Sequence, residues 1–205
     1  MKPGRRLGAG LALATAALAA VGLGRRAPGL LDAVPAYRQS GPAGARVVII
    51  EYSDFQCSRC AQAHPFLKEL LARYEGKVRL VFRHFPLTPH KWAPAAARAA
   101  ESAGRQGRFW DYADALYAHQ KEWSEAQDAV PLLRRYAADL GLDPARFAAD
   151  MDSPAVARLV QEEKKHSESV PIAATPTFFV NRRVIVGESQ LQSVGARFIE
   201  RELEP

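Results

Sequence analysis

An α/β fold is predicted for this chain by three observations. A continuous apolar run, an amphipathic helical stretch and an alternating run follow one another as strand, helix and strand between residues 46 and 82. The middle of the chain then turns helical, and its end returns to two short strands and a last helix. The resulting order, β-α-β, helical insertion, β-β-α, implies one domain on a small sheet seeded by a parallel pair of strands.

The amino terminus precedes that domain. Lys2, Arg5 and Arg6 lead into an uncharged stretch at residues 7–24, so residues 1–26 read as a signal peptide or membrane anchor, with Ala17-Leu18-Ala19 as a small-residue cleavage pattern. Five of the 28 basic residues and none of the 22 acidic ones fall there, which leaves 23 basic against 22 acidic in the body. The formal net charge of +6 therefore reports the leader. No basic stripe with interleaved aromatics suggests nucleic acid as a partner. Residues 27–45, with Pro28, Gly29, Pro35, Gly41, Pro42 and Gly44, lack sustained periodicity and read as a linker. The domain is then expected at residues 46–205, long enough to bury a core without disulfide staples.

Each element has a local justification. Residues 46–52 form a buried strand because Val47-Val48-Ile49-Ile50 is β-branched and uninterrupted. Phe66, Leu67, Leu70, Leu71 and Tyr74 recur at helical spacing, Gly76 stands where the helix stops, and Pro65 is expected to kink it. Val78, Leu80 and Phe82 alternate as the second strand. In the insertion, at about residues 90–169, helices are expected at 95–103, 109–119, 130–140 and 155–166, punctuated by Gly104, Gly107, Gly141 and the starts Asp143-Pro144 and Ser153-Pro154. Phe109, Trp110, Tyr112, Leu116 and Tyr117 are assigned to packing. His119, Trp123 and the run Glu162-Glu163-Lys164-Lys165 read as solvated surface rather than as sites and are left unassigned. Residues 177–180 and 184–186 make a hairpin around Asn181-Arg182-Arg183, and residues 190–202 a terminal helix.

The chemistry lies between the first strand and the first helix. Cys57 and Cys60, in Cys57-Ser58-Arg59-Cys60, are the whole thiol complement. A closed zinc site needs four ligands, and only His64 is well placed to join the pair; Ala61 after Cys60 excludes a haem-attachment signature. A redox dithiol is the preferred reading, with a metal-delivery site for a soft ion and a structural disulfide as alternatives, and no metal ligand set is assigned. Residues i and i+3 of a first helical turn hold their Cα atoms within the roughly 4.4–6.8 Å that a disulfide spans, so the pair can open and close with little backbone movement. Free N–H groups and the helix dipole favour a thiolate on Cys57, the attacking sulfur, while Cys60, one turn deeper, resolves. Arg59 adds a cation beside the thiolate or points into solvent. Glu51 interrupts the apolar strand, where a charge needs a shifted pKa or a partner such as Arg79 or Arg83, or turns to solvent. His64 is read as surface, with modulation of Cys60 as the alternative.

The strand Val-Ile-Ile-Glu-Tyr-Ser-Asp-Phe, the Cys-Ser-Arg-Cys motif, Gly107-Arg108-Phe109-Trp110 and Ala174-Thr175-Pro176-Thr177-Phe178-Phe179-Val180 together resemble the DsbA-like thiol:disulfide oxidoreductases of the thioredoxin superfamily, over roughly residues 47–198. That resemblance implies a thioredoxin-like fold with a helical insertion. It implies that Ser58 and Arg59 tune the redox poise, although Ser-Arg departs from the Pro-His pair of the best-known oxidases. Glu51 takes the place of an acid that assists proton transfer beneath the site. Thr175-Pro176 is expected to be cis, with its loop against the cysteines and the Thr175 backbone pairing with substrate. The implied protein is exported to the periplasm or another extracytoplasmic space and needs no cofactor beyond its Cys57–Cys60 disulfide. It would oxidise cysteine-containing client polypeptides and be reoxidised by a membrane-bound, quinone-linked partner. A reductase or isomerase kept reduced by a membrane electron donor is the alternative direction.

Overall fold

The computed structural model describes residues 34–204, so the signal and anchor readings of the leader lie outside the described residues. In chain order the elements are a 3-10 turn at Ala36–Arg38, β1 Gln39–Ser40, β2 Val47–Ser53, α1 Ser58–Arg73, β3 Val78–His84, α2 Ala93–Gly104, α3 Phe109–Ala118, α4 Gln120–Ser124, α5 Val130–Asp139, α6 Pro144–Met151, α7 Pro154–Ser169, β4 Thr177–Val180, β5 Arg183–Val186 and α8 Gly187–Leu203. The sheet order is β1-β3-β2-β4-β5. The β-branched run forms β2 at the centre, buried at every position, parallel to β3 and antiparallel to β4. Strand alternation turns Val47, Ile49, Glu51 and Ser53 to one face and Val48, Ile50 and Tyr52 to the other. On the first face, Leu67 of α1 and Leu191 and Ile199 of α8 close over Ile49 and Phe178. The second face gathers Val34, Tyr52 and Val81.

The helix α1 runs through Pro65 and terminates before Gly76, whose φ of +73° is the left-handed conformation expected just past a helix end. The hairpin turn is two residues long, with Asn181 at φ +51°, so Arg183 belongs to β5 rather than to the turn.

The insertion holds two helices more than the periodicity indicates. Asp143 caps α6 by accepting from the Arg146 N–H at 2.9 Å, and Pro144 occupies its first turn. The short α4 folds Trp123 into the centre of the insertion, where the indole is fully buried and donates to the Leu116 carbonyl at 2.8 Å. The surface reading of Trp123 does not hold: an indole with its N–H satisfied is worth burying for its apolar area.

Residues 34–45 are not linker. Val34 packs in the second sheet face, β1 extends the sheet beside β3, and Tyr37 lies so close to Gly104 that a Cβ there would strike its ring. Arg38 is completely buried, with Nη1 donating to Glu163 Oε2 at 2.7 Å and Nε 3.1 Å from Glu101 Oε1. Arg83 Nη1 donates to Glu163 Oε1 at 2.6 Å, and His84 Nε2 pairs with Glu101 Oε1 at 2.8 Å. Burial opposes ionisation of both glutamates, yet His84 and the arginines hold their carboxyls below the ordinary range. Glu163 therefore also departs from the surface reading of its charge run. The buried stripe of α7, Val156, Val160, Glu163 and Ser167, follows helical spacing and carries Glu163 inward.

Candidate active site

Cys57 is the N-cap of α1, with extended backbone (φ −75°, ψ 118°) that turns into the helix at Ser58. The loop leading to it is pinned from three sides. The buried Asp54 carboxylate accepts the Gln56 and Leu87 N–H groups at 2.7 and 2.8 Å and pairs with His90 Nδ1 at 2.7 Å. Gln56 Oε1 accepts the Trp92 N–H at 2.7 Å. From α4, Gln120 Nε2 donates to the carbonyls of Phe55 at 2.7 Å and Cys57 at 3.0 Å.

Both cysteines are free thiols, Cys57 with 8% of its surface exposed and Cys60 with none. A hydrogen bond from the Cys60 thiol is the largest influence on Cys57 and, with the Thr175 side chain and then the Cys60 and Arg59 backbone N–H groups, outweighs burial to bring its pKa down to about 5. Burial, followed by the Cys57 neighbour, pushes Cys60 well above the ordinary thiol value. Two equivalent side chains thus become an ionised nucleophile near the surface and a protonated thiol beneath it. The Thr175 carbonyl oxygen lies 3.5 Å from Cys57 Sγ, and the Thr175–Pro176 bond is cis. Ser58 and Arg59 are exposed.

Glu51 is buried to 2% exposure, and burial raises its pKa to about 7, against a smaller contribution from a Ser53 hydrogen bond. The pairing with Arg79 or Arg83 is ruled out by strand geometry. In the β2–β3 register Glu51 sits opposite Phe82, whereas Arg79 and Arg83 sit opposite Val48 and Tyr52 on the other face. His64 departs from the surface reading, with Nε2 2.6 Å from Asp114 Oδ1 and its ring 4.7 Å from that of Tyr117. Burial lowers its pKa against the opposing pull of Asp114.

Two residues escaped the sequence reading. Ser53, two places from Glu51, shares its face by strand alternation, a signal the sequence contains. Its Oγ is 2.8 Å from the Tyr117 hydroxyl. Gln120, separated from Cys57 by 63 positions, carries no such local signal.

A family model described as Thioredoxin matches residues 35–200. Among curated relatives, the Na(+)/H(+) antiporter NhaA of Herminiimonas arsenicoxydans is 40% identical over 156 residues, 76% of this chain and 24% of the relative. The Na(+)/H(+) antiporter NhaA 3 of Salinispora tropica is 41% identical over 157 residues, again 76% of this chain and 23% of the relative. The chain thus spans about a quarter of the length of the curated relatives it matches. A thioredoxin-like oxidoreductase from Silicibacter pomeroyi is similar in structure, with a TM-score of 0.64 and 26% identity, covering 81% of this chain and 92% of that one. BdbD from Bacillus subtilis shares the fold at a TM-score of 0.72 and 23% identity, over 82% and 93% of the two chains. Wolbachia pipientis alpha-DsbA1 shares it at 0.72 and 21%, over 85% and 96%. With its Cys-x-x-Cys pair capping α1, the cis Thr175–Pro176 bond beside it and six helices inserted between β3 and β4, the chain belongs to the thioredoxin family, in the DsbA-like form of the fold.

Proposed function

We propose that the protein is a thiol:disulfide oxidoreductase whose Cys57–Cys60 disulfide passes to cysteine-containing client polypeptides. The observation that carries this reading is the asymmetry of the pair: Cys57 at the helix terminus, reached by N–H donors, and Cys60 sealed one turn below. A client thiolate attacks Cys57, Cys60 leaves, and the second client thiol then attacks the client sulfur of the mixed disulfide, releasing an oxidised client and a reduced enzyme. Stabilising the Cys57 thiolate stabilises the reduced form, which makes the disulfide oxidising and supports the oxidase direction.

A membrane-bound, quinone-linked oxidase that restores the disulfide outside the cytoplasm completes the proposal. The basic, then uncharged leader supports export. A homologous segment within proteins named Na(+)/H(+) antiporters supports a place at a membrane.

The deciding experiment is mixed-disulfide trapping. Cys60→Ser is expected to accumulate client adducts and Cys57→Ser almost none, and equal trapping by both would overturn the assignment of roles. Equilibration with glutathione is expected to give a potential above about −200 mV; a value near about −270 mV would favour the reductase.

A further inference from the structure

We infer that Asp54 is a positioning residue of the exchange reaction: its carboxylate ties the Cys57 loop to the β3–α2 connection and so fixes where Cys57 Sγ meets an incoming thiolate; this rests on the thiol-exchange reading above. The parallel pairing of β2 with β3 ends at Ser53 opposite His84, and the Phe85 N–H donates to the Ser53 carbonyl at 2.8 Å. Beyond that bond both strands have ended. Asp54, the next residue, continues the tie with its side chain. Oδ1 accepts the Gln56 N–H at 2.7 Å and closes a turn within its own loop, while Oδ2 accepts the Leu87 N–H at 2.8 Å and lies 2.7 Å from His90 Nδ1. The Asp54 carbonyl accepts the Cys57 N–H at 3.0 Å.

The two backbone donors reach different oxygens, so the site calls for a carboxylate. An asparagine has one oxygen, and its amino group would face one of those N–H groups, donor against donor. The Asp54 side chain is fully buried; burial raises its pKa, and the Leu87 N–H, His90 and the Gln56 N–H offset part of the rise. A buried acid costs free energy that an apolar residue would not. This one stands three residues before the attacking sulfur, in a loop held also by Gln56 at the Trp92 N–H and by Gln120 at the Phe55 and Cys57 carbonyls.

Asp54 acts on Cys57 in two ways of opposite sign, which makes the positioning role separable. As a charge, a carboxylate near a thiolate disfavours it, so removing the charge alone lowers the Cys57 pKa. As a brace, it holds Cys57 at the cap of α1, where the groups led by the Cys60 thiol bring that pKa to about 5, so removing the brace raises it. A displaced sulfur is also attacked more slowly, a misplacement of about 1 Å costing up to about 10²-fold in rate.

The test uses the full chain, reduced glutathione as probe and rapid mixing to time attack on the Cys57–Cys60 disulfide. The Cys57 midpoint is read by thiolate absorbance and the fold by circular dichroism. Asp54→Ala is expected to slow attack by roughly 10- to 100-fold and to raise the Cys57 midpoint. Asp54→Asn, which keeps one of the two backbone bonds, should fall between the alanine variant and the wild type in both readings. His90→Ala leaves both backbone bonds in place and should stay nearest to the wild type. Where the alanine variant does not fold, the asparagine variant decides. A folded Asp54→Asn with wild-type rate and midpoint would make Asp54 a stabilising residue only and overturn the proposal. A lowered midpoint would overturn it as well, because the charge alone would then be acting on Cys57. Failure of the wild-type protein to exchange with glutathione would instead overturn the exchange reading.

Discussion

Cys57 and Cys60 differ in nothing but position, and three residues of helix are enough to give them opposite protonation at neutral pH. The determining groups are short-range: the Cys60 thiol first, then the Thr175 side chain and the backbone N–H groups of Cys60 and Arg59. The Arg59 guanidinium projects from an exposed position, where screening weakens it, and the structure links Arg59 to the sulfur through its N–H. Arg59→Glu is therefore expected to move the Cys57 midpoint by less than about one unit in a titration followed by thiolate absorbance. The depressed pKa also makes a stability prediction. Because Cys57 ionises more readily folded than unfolded, the stabilisation of the reduced protein is complete above about 8.5, the ordinary thiol value, declines as pH falls, and is gone below about 5. The disulfide form lacks this contribution. Urea midpoints of the two forms should accordingly diverge as pH rises from about 5 to about 8.5, and parallel curves would mean that Cys57 titrates like a free thiol.

Elements, in turn, bring distant side chains into register. The stripe of α7 that covers the sheet carries Glu163 into contact with Arg38 and Arg83, two buried cations that need an anion. Glu163→Ala is expected to cost about 3–5 kcal/mol in denaturant-measured stability, because it removes the carboxylate that two buried guanidiniums share; a loss within that of an exposed ion pair, below about 1 kcal/mol, would contradict the buried network. Helical periodicity through Val156, Val160, Glu163 and Ser167 makes the inward turn of Glu163 readable in the sequence, but only if a charged residue is allowed a place in an apolar stripe. The second element with reach is α4, which presents Gln120 to the active-site loop and ties the helical insertion to the backbone of Cys57.

For the molecule as a whole, the domain begins before the sheet's central strand. A chain starting at residue 46 lacks Val34, Tyr37, Arg38 and β1, and leaves Glu101 and Glu163 without the Arg38 cation. It is expected to be less stable by more than about 3 kcal/mol than a chain starting at residue 34, judged by urea midpoint. Equal stability would restore residues 34–45 to the status of a linker. Among the described residues no helix is long and apolar enough to cross a membrane.

The sequence by itself determined the α/β class, the order of the elements and the placing of Cys57 at a helix terminus, because periodicity, β-branching and capping are local properties carried within one turn or one strand. It also contained the Glu51–Ser53 alignment, through the two-residue period of a strand. Only the tertiary structure decided that Arg38 meets Glu163 across 125 positions, that Gln120 reaches Cys57, and that Trp123 and His64 turn inward. Those outcomes depend on which faces are left to be covered once the sheet has formed, and a buried polar group takes whichever partner the fold brings within hydrogen-bonding distance.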